Sequence, residues 1–492
     1  MSRFIDTIRT IVTKNKVFTS LLLAGAFLRF FRLQQFTVFL SDQGRDALII
    51  KDIVTFTHFP LIGAPTSIGQ VFLGPAYYYL VAPFLPLFGF NPVGLAYAVA
   101  FYSLLGITAS YAVIKKEISL SVALIFSILS FFSFVQIELA RFSWNPNLLH
   151  FSAFFSLYFL YKLMQKPTML FGALFGFFFG LSLQFHYLAV LIAPAIAVWY
   201  VLFMWEKRGK ALSSYKAMIV APALSFIASI SPLILFDLRH DFINSSNFLK
   251  LFSEQKDVAR ELFSTRFLNV NNAFVNTFFH HEVSVSAALA ITVTIIILYL
   301  VISRWQEVPR FVHLNAFAVI FFLIFFAFLQ TPRHAHYYTP IYLSFSLVAA
   351  YMLSLLTQFK RIGQVTLLAL LTTYLYWNLQ LPFFVEPGNG QINHAKRVAQ
   401  FMLTKTGNKP YNIATWPIYF TEDNYVYFLN LGGQPPADRK KLQITDQMFV
   451  LCGEEPCVVV NSPSWNISMF GTAKIDTMWE VEGVKIYKLV RE

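Results

Sequence analysis

Ser41-Asp42-Gln43-Gly44-Arg45-Asp46 places two carboxylates and a guanidinium within six residues, in a 492-residue chain of which only 13% is charged. Directly before it runs the apolar stretch Val17 to Leu33, preceded by Arg3, Arg9, Lys14 and Lys16. A helix needs about 20 apolar residues to cross a bilayer, and Lys and Arg collect on the cytoplasmic side. The reading is a first span that starts inside and delivers the acidic stretch to the outer surface. No small-residue cleavage site follows the apolar run, so the span is expected to stay as an anchor.

The rest of the chain extends that reading. Hydrophobic residues make up 57% of it, including 56 Phe, which excludes an ordinary soluble domain. The net charge of +13 is accounted for by Lys and Arg on inner loops rather than by nucleic-acid binding. Alternating basic inner loops with polar outer loops gives about eleven spans. They are Val17 to Leu33, Val93 to Ile114, Leu120 to Gln136, Leu148 to Leu163, Leu170 to Leu183, Leu188 to Trp205, Met218 to Phe236, Ser284 to Ile302, Phe311 to Leu329, Ile341 to Leu356 and Val365 to Leu381. Between the first two, Asp46 to Phe56 reads as a short surface helix, and Tyr77 to Phe88, which by itself suits a partial insertion or a full span, stays at the outer surface once Lys115-Lys116 are set inside.

From Glu386 the composition turns more charged, with an amphipathic helix over His394 to Thr404 and short alternating stretches at Met448 to Leu451, Val458 to Val460 and Val484 to Leu489. The expected fold is therefore mainly α: a polytopic membrane domain over 1–384, with a small extracytoplasmic α/β domain over 385–492. Only two cysteines exist, Cys452 and Cys457. In an oxidising space they close a small loop; elsewhere they are two free thiols. Two alone make a poor metal site.

Under this topology the unusual polar residues share the outer side. Asp42, Arg45 and Asp46 come from the first outer loop, near Tyr78, and Arg141, Trp144 and Asn145 come from the second. His186 and Tyr187 cap one span, and Asp237, Arg239 and His240 cap another. Arg333, His334, His336, Tyr337 and Tyr338 form the last outer loop. Nucleotide sugars and ATP are scarce outside the cytoplasm, so chemistry there needs an activated donor carried across the membrane, as a polyprenyl-phosphate sugar is. Transfer then needs a carboxylate to take a proton from an acceptor hydroxyl. It also needs cations where charge develops on the departing phosphate. The planar fork of Arg suits two phosphate oxygens.

Asp42 fits the base, with Asp46 beside it. Arg141, Arg333, His336 and Tyr337 fit the donor phosphate. Arg45, Tyr78, Trp144, Asn145, His186, Arg239 and His240 fit the rest of the substrate site. The spacing of Asp42 and Asp46 also admits a divalent metal shared with a histidine from another loop. The plain alternative for any one of these residues is a solvated loop charge or a helix cap.

The chain resembles the integral-membrane glycosyltransferases of the GT-C class, in particular the protein mannosyltransferase and aminoarabinose transferase superfamily. Four features carry the resemblance: the acidic stretch after the first span; Gly74-Pro75-Ala76-Tyr77-Tyr78-Tyr79 followed by Phe88-Gly89-Phe90-Asn91-Pro92; Ala140-Arg141-Phe142-Ser143-Trp144-Asn145-Pro146-Asn147; and Arg333-His334-Ala335-His336-Tyr337-Tyr338 before Pro340. It covers about residues 17–380. It implies that Asp42 is the catalytic base and that Arg333 or His336 stands near the donor phosphate. It implies a polyprenyl-phosphate sugar donor and a lipid, glycan or protein acceptor. The chain departs from the family in having Gln43 where many relatives have Glu, and Asn145 where many have a second acidic residue.

Two other classes compete with a transferase. A transporter or flippase of a lipid-linked saccharide places coupling charges near the membrane midplane, on broken helices. Here the middles of the apolar segments are nearly free of charge. A non-catalytic assembly protein would use the C-terminal domain as its working surface.

Overall fold

The computed structural model describes residues 15–66, 70–206, 216–253, 261–282, 297, 307–417, 419–438 and 441–492. The chain forms two compact units: Met1–Phe31, Pro60–Leu80 and Ala98–Val385 in the first, and Arg32–Phe59, Val81–Tyr97 and Glu386–Glu492 in the second. It is a mainly helical, polytopic membrane protein with a small α/β body near its C-terminus.

Among the described residues, Val93–Glu117, Lys216–Arg239, Arg310–Phe328 and Ala335–Asn378 are long and apolar enough to cross a bilayer. The pair Leu120–Phe131 and Phe134–Arg141, bent by 60°, makes a fifth when counted as one span. The Lys16–Phe30, Leu149–Gln165, Met169–Phe185 and Ala193–Glu206 helices stand at four more expected positions with only 14 to 17 residues each. At 1.5 Å per residue that is about 21–26 Å, short of the roughly 30 Å hydrocarbon core. Polar caps set several of these ends: Asn15, Ser119 and Thr168 each accept the main-chain N–H three residues on. Apart from Ile297, the expected Ser284 to Ile302 span lies outside the described residues.

The bend at residues 132–133 falls toward the end of the expected Leu120 to Gln136 span. It frees main-chain groups inside an apolar bundle, and each would cost several kcal/mol unpaired in hydrocarbon. Side chains from two other helices meet them. Arg29 donates to the carbonyls of Ser130 at 3.3 Å and Phe131 at 3.0 Å. The Tyr374 hydroxyl donates to Leu129 O at 2.7 Å, and Asn378 Oδ1 accepts from Phe134 N at 2.8 Å. The bend is thus held by Lys16–Phe30 and Lys360–Asn378, and it aims residues 141–147 as a loop.

Met169–Phe185 packs on Ala221–Arg239 through a Gly172, Gly176, Gly180 stripe. A Cβ at Gly176 would lie 2.1 Å from Pro222 O, so the two backbones touch. Small residues at such spacing let membrane helices approach closely.

The second unit carries a four-stranded sheet in the order β1-β2-β4-β3, with β1 Asn412–Trp416, β2 Gln447–Cys452, β3 Ala473–Val481 and β4 Val484–Arg491. β1 and β2 run parallel, with the Asp423–Leu431 helix between them in sequence; the other pairings are antiparallel. Ala414, Met448, Val450, Val459, Ile467, Phe470 and Leu489 form one core cluster. Cys452 and Cys457 are joined as a disulfide, which resolves the open alternative. Two strands are where the alternation placed them. Val458 to Val460 forms no strand, and β1 and β3 escaped notice. β1 is buried almost throughout and shows no alternation, and β3 is a largely exposed edge strand with a register shift between Ile475 and Thr477.

Candidate active site

The expected site residues fall in both units.

In the second unit, the acidic stretch opens the Ser41–Val54 helix, which begins earlier than the expected Asp46. Gln43 starts it by accepting the Leu40 N–H at 3.3 Å, the reach-back of a capping box. Asp42 therefore stands in the first turn, at the positive end of the helix dipole. Arg45 sits between the carboxylates. Its Nη1 donates to Asp42 at 2.8 Å, and its Nε and Nη2 fork onto one oxygen of Asp46 at 3.0 and 2.7 Å. The Asp46 side chain is 1% exposed and that of Asp42 is 51% exposed, so of the two carboxylates Asp42 is the one open to its surroundings. A guanidinium already bridges the two carboxylates, so the pair does not offer the open oxygen cage a divalent ion takes. Among the described residues, no three His, Cys, Asp or Glu side chains gather as metal ligands.

In the first unit, rings from three loops meet. The Trp144 indole lies edge-on to His336 with centroids 4.5 Å apart. His186 lies 6.2 Å from His336 and 5.5 Å from Tyr337, and His334 stacks on His336 at 5.6 Å. These rings arrive on short 3-10 turns, Asn145–Leu148, Tyr187–Ile192 and Ala335–Ile341, that start or interrupt helices. His186 Nδ1 accepts the Leu188 N–H at 3.2 Å, so its neutral ring carries the proton on Nε2. Asn145 is fully buried, and its amide has no hydrogen-bond partner among the described residues. Such a group calls for water or a ligand.

Arg333 lies over the Phe326 ring at 4.7 Å and donates to Leu329 O at 2.9 Å and Thr331 O at 2.8 Å. Burial pushes its pKa below the ordinary Arg value, Arg266 adds to the drop, and Tyr338 and Glu261 oppose it. A cation in that position gains from an arriving anion.

The other expected residues have different partners. Arg141 is buried, and its Nη1 donates to the carbonyls of Leu28, Arg29 and Phe31 at 2.9, 3.1 and 2.9 Å, capping the first span. Its guanidinium also lies 4.0 Å from the Phe383 ring centroid. Tyr78 is fully buried, edge-on to Tyr77, whose hydroxyl is 2.6 Å from Ser143 Oγ. Arg239 and His240 end the Ala221–Arg239 helix, with His240 bonded to Phe236 O at 2.8 Å and stacked on the same residue's ring. Asp237 caps the chain behind them, accepting the N–H groups of Asn244 at 2.9 Å and Ser245 at 3.1 Å and the Ser245 hydroxyl. Asn244 and Tyr187 then bind the Phe72 main chain. This lacing joins residues far apart in sequence, and nothing local announced it.

No protein-family model matches the chain, and no curated protein matches it. Solved structures do. ArnT from Cupriavidus metallidurans in the apo state matches with a TM-score of 0.61 at 13% identity, over 96% of this chain and 97% of that one. The same protein bound to undecaprenyl phosphate gives 0.59 at 12% identity, over 96% and 98%. The archaeal oligosaccharyltransferase AglB from Archaeoglobus fulgidus, in complex with an inhibitory peptide and a dolichol-phosphate, gives 0.52 at 13% identity, over 86% and 64%. The chain has a GT-C glycosyltransferase fold.

Proposed function

We propose that this protein transfers a sugar from a polyprenyl-phosphate-linked donor to an acceptor hydroxyl at the outer face of the membrane, with Asp42 as general base. The observation that carries the reading is the half-exposed Asp42 carboxylate at a helix N-terminus, held by Arg45, on a chain with this fold. ArnT with undecaprenyl phosphate and AglB with a dolichol-phosphate supply the donor class by analogy.

In the step, Asp42 takes the acceptor hydroxyl proton as that oxygen bonds to the anomeric carbon. The bond from that carbon to the donor phosphate oxygen breaks, and its electron pair leaves on the polyprenyl phosphate. Arg333, with His336 and Tyr337, meets the charge developing on that phosphate. Trp144, Asn145 and His186 supply ring faces and an amide for the sugar. Arg141 acts by fixing the first span's end against the loop that carries Trp144, and Asp46 acts by orienting Arg45.

The domain assignment belongs to the same proposal: 1–384 as the transmembrane transferase domain, and 385–492 as an α/β domain outside the cytoplasm, with the N-terminus inside. The Cys452–Cys457 disulfide supports an oxidising location for the latter.

The test is transfer by the purified protein from a panel of polyprenyl-phosphate sugars, read as release of polyprenyl phosphate. Asp42→Asn is expected to lower turnover by about 10²–10⁴-fold while the protein inserts and folds. Wild-type turnover in that variant removes Asp42 from the mechanism.

A further inference from the structure

The candidate base belongs to the same compact unit as the C-terminal residues, and the contacts are specific. Residues 32–39 are laced to the start of the C-terminal segment. Arg32 donates to Glu386 O at 3.1 Å, Asn389 Nδ2 donates to Phe36 O at 3.1 Å, and Gly390 N donates to Gln35 O at 3.2 Å. The grip tightens at Phe39, three residues before Asp42. Its N–H donates to Gln391 Oε1 at 2.9 Å, and its carbonyl accepts a long bond from Asn424 Nδ2 at 3.5 Å. Its ring, 1% exposed, stands edge-on to Tyr427 and Phe428 at 5.9 and 5.7 Å.

Two residues past Asp42 the helix is gripped again. A Cβ at Gly44 would lie 2.3 Å from Asn424 N and 2.5 Å from Asp423 C, so the helix backbone rests on the main chain that opens the Asp423–Leu431 helix. Those neighbours are backbone atoms and cannot swing aside. Asp42 is thus bracketed by a main-chain clamp at Phe39 and a backbone-to-backbone contact at Gly44.

We infer that Gln391, Asn424 and Gly44 are positioning residues for the transfer step: the C-terminal body seats the helix that carries the base. This rests on the proposed role of Asp42 and assigns the C-terminal segment a part in turnover. A positioning role predicts a loss in kcat with donor binding intact, because Arg333 and His336 belong to the other unit. Displacing a reacting group by about 1 Å costs on the order of a hundredfold in rate.

The experiment uses full-length protein and three variants, Gln391→Leu, Gln391→Glu and Gly44→Ala. It measures amide hydrogen exchange over residues 41–47 together with kcat and donor KM, using whichever polyprenyl-phosphate sugar the wild type accepts. Gln391→Leu and Gly44→Ala are expected to speed exchange in 41–47 and to lower kcat by about a hundredfold at unchanged donor KM. Gln391→Glu, which keeps an acceptor for the Phe39 N–H, is expected to retain both. Unchanged exchange in Gln391→Leu and Gly44→Ala overturns the inference, as does faster exchange with wild-type kcat. Asp42→Asn is run in parallel. If it is inactive while Gly44→Ala is fully active, only the inference falls; if Asp42→Asn keeps wild-type turnover, the base assignment falls and takes the inference with it.

Discussion

Arg141 caps the carboxyl end of the helix that carries Arg29, and Arg29 caps the helix that precedes the bend leading to Arg141. Arg29, in Lys16–Phe30, donates to the carbonyls that end Leu120–Phe131, and Arg141, just past Phe134–Ala140, donates to the carbonyls that end Lys16–Phe30. These contacts set both guanidinium charges against main-chain oxygens at the negative poles of two helices. Arg29→Met leaves carbonyls without donors in an apolar bundle and is expected to cost about 1.5–3 kcal/mol for each charged bond lost. Arg141→Met acts on the same joint, so the double variant is expected to lose less stability than the two single losses combined. Thermal unfolding of the four proteins in one detergent checks this; strict additivity would mean two independent joints.

Asp42 and Asp46 share Arg45 but should respond differently to loss of charge. Asp46 is buried against the guanidinium fork, and Asp46→Asn is expected to destabilise the protein by about 3–5 kcal/mol, as does removal of one partner from a buried pair. Asp42 is half exposed, and Asp42→Asn is expected to change stability by no more than about 1 kcal/mol. Chemical unfolding separates the two. A reversal of that order would mean that the buried carboxylate is the dispensable one.

Trp144 holds His336 edge-on, so Trp144→Ala is expected to loosen a ring assigned to the donor phosphate. Edge-on aromatic pairs contribute about 0.5–1.5 kcal/mol, equivalent to roughly two- to tenfold. The measurement is donor KM against acceptor KM, with a rise expected in the first alone. An unchanged donor KM would place Trp144 outside donor recognition.

At Gly176 the neighbouring helix backbone leaves no room for a methyl group. Gly176→Ala is expected to push Met169–Phe185 away from Ala221–Arg239 at a cost of about 1–3 kcal/mol. Gly89, where an added Cβ meets nothing within 4 Å, supplies the contrast on packing, although its φ of +60° carries its own strain. A Gly176→Ala protein with the wild-type melting temperature would contradict the tight helix contact.

His394 supplies a pH dependence in the C-terminal body. Burial lowers its pKa below the ordinary value and Arg397 adds to the drop, while Glu482 opposes it. A depressed histidine keeps its full contribution to stability above the unfolded pKa of about 6.5 and loses it as pH falls through the folded value. The full chain is therefore expected to melt lower on going from pH 7 toward pH 5, and His394→Gln to flatten that slope. An unchanged slope would assign the acid sensitivity to other groups.

The helical architecture was legible because a bilayer imposes a length and a charge rule on every span. The ring cluster was legible because Trp144, His186 and His336 interrupt apolar runs where a buried polar group is costly. Arg29 was not, because an arginine near the end of a first span reads as a flanking charge, and its acceptors lie about a hundred residues away. Arg141 was legible as unusual but not as a cap, since a guanidinium suits carbonyl oxygens and phosphate oxygens alike. The bend at residues 132–133 carries no Pro or Gly and is held from outside by Arg29, Tyr374 and Asn378, so no local signal marks it. The partnership of Ser41–Val54 with Asp423–Leu431 depends on a glycine whose neighbour is main chain, and a sequence does not name that neighbour.

The clamp on Phe39 joins residues 385 positions apart. A ribosome therefore releases the acidic helix well before the residues that grip it, and the helix lacks its seat until Gln391 and Asn424 have followed. Ribosome-bound chains halted before Gln391 are expected to enter the bilayer and, on the proposed role of Asp42, to be inert.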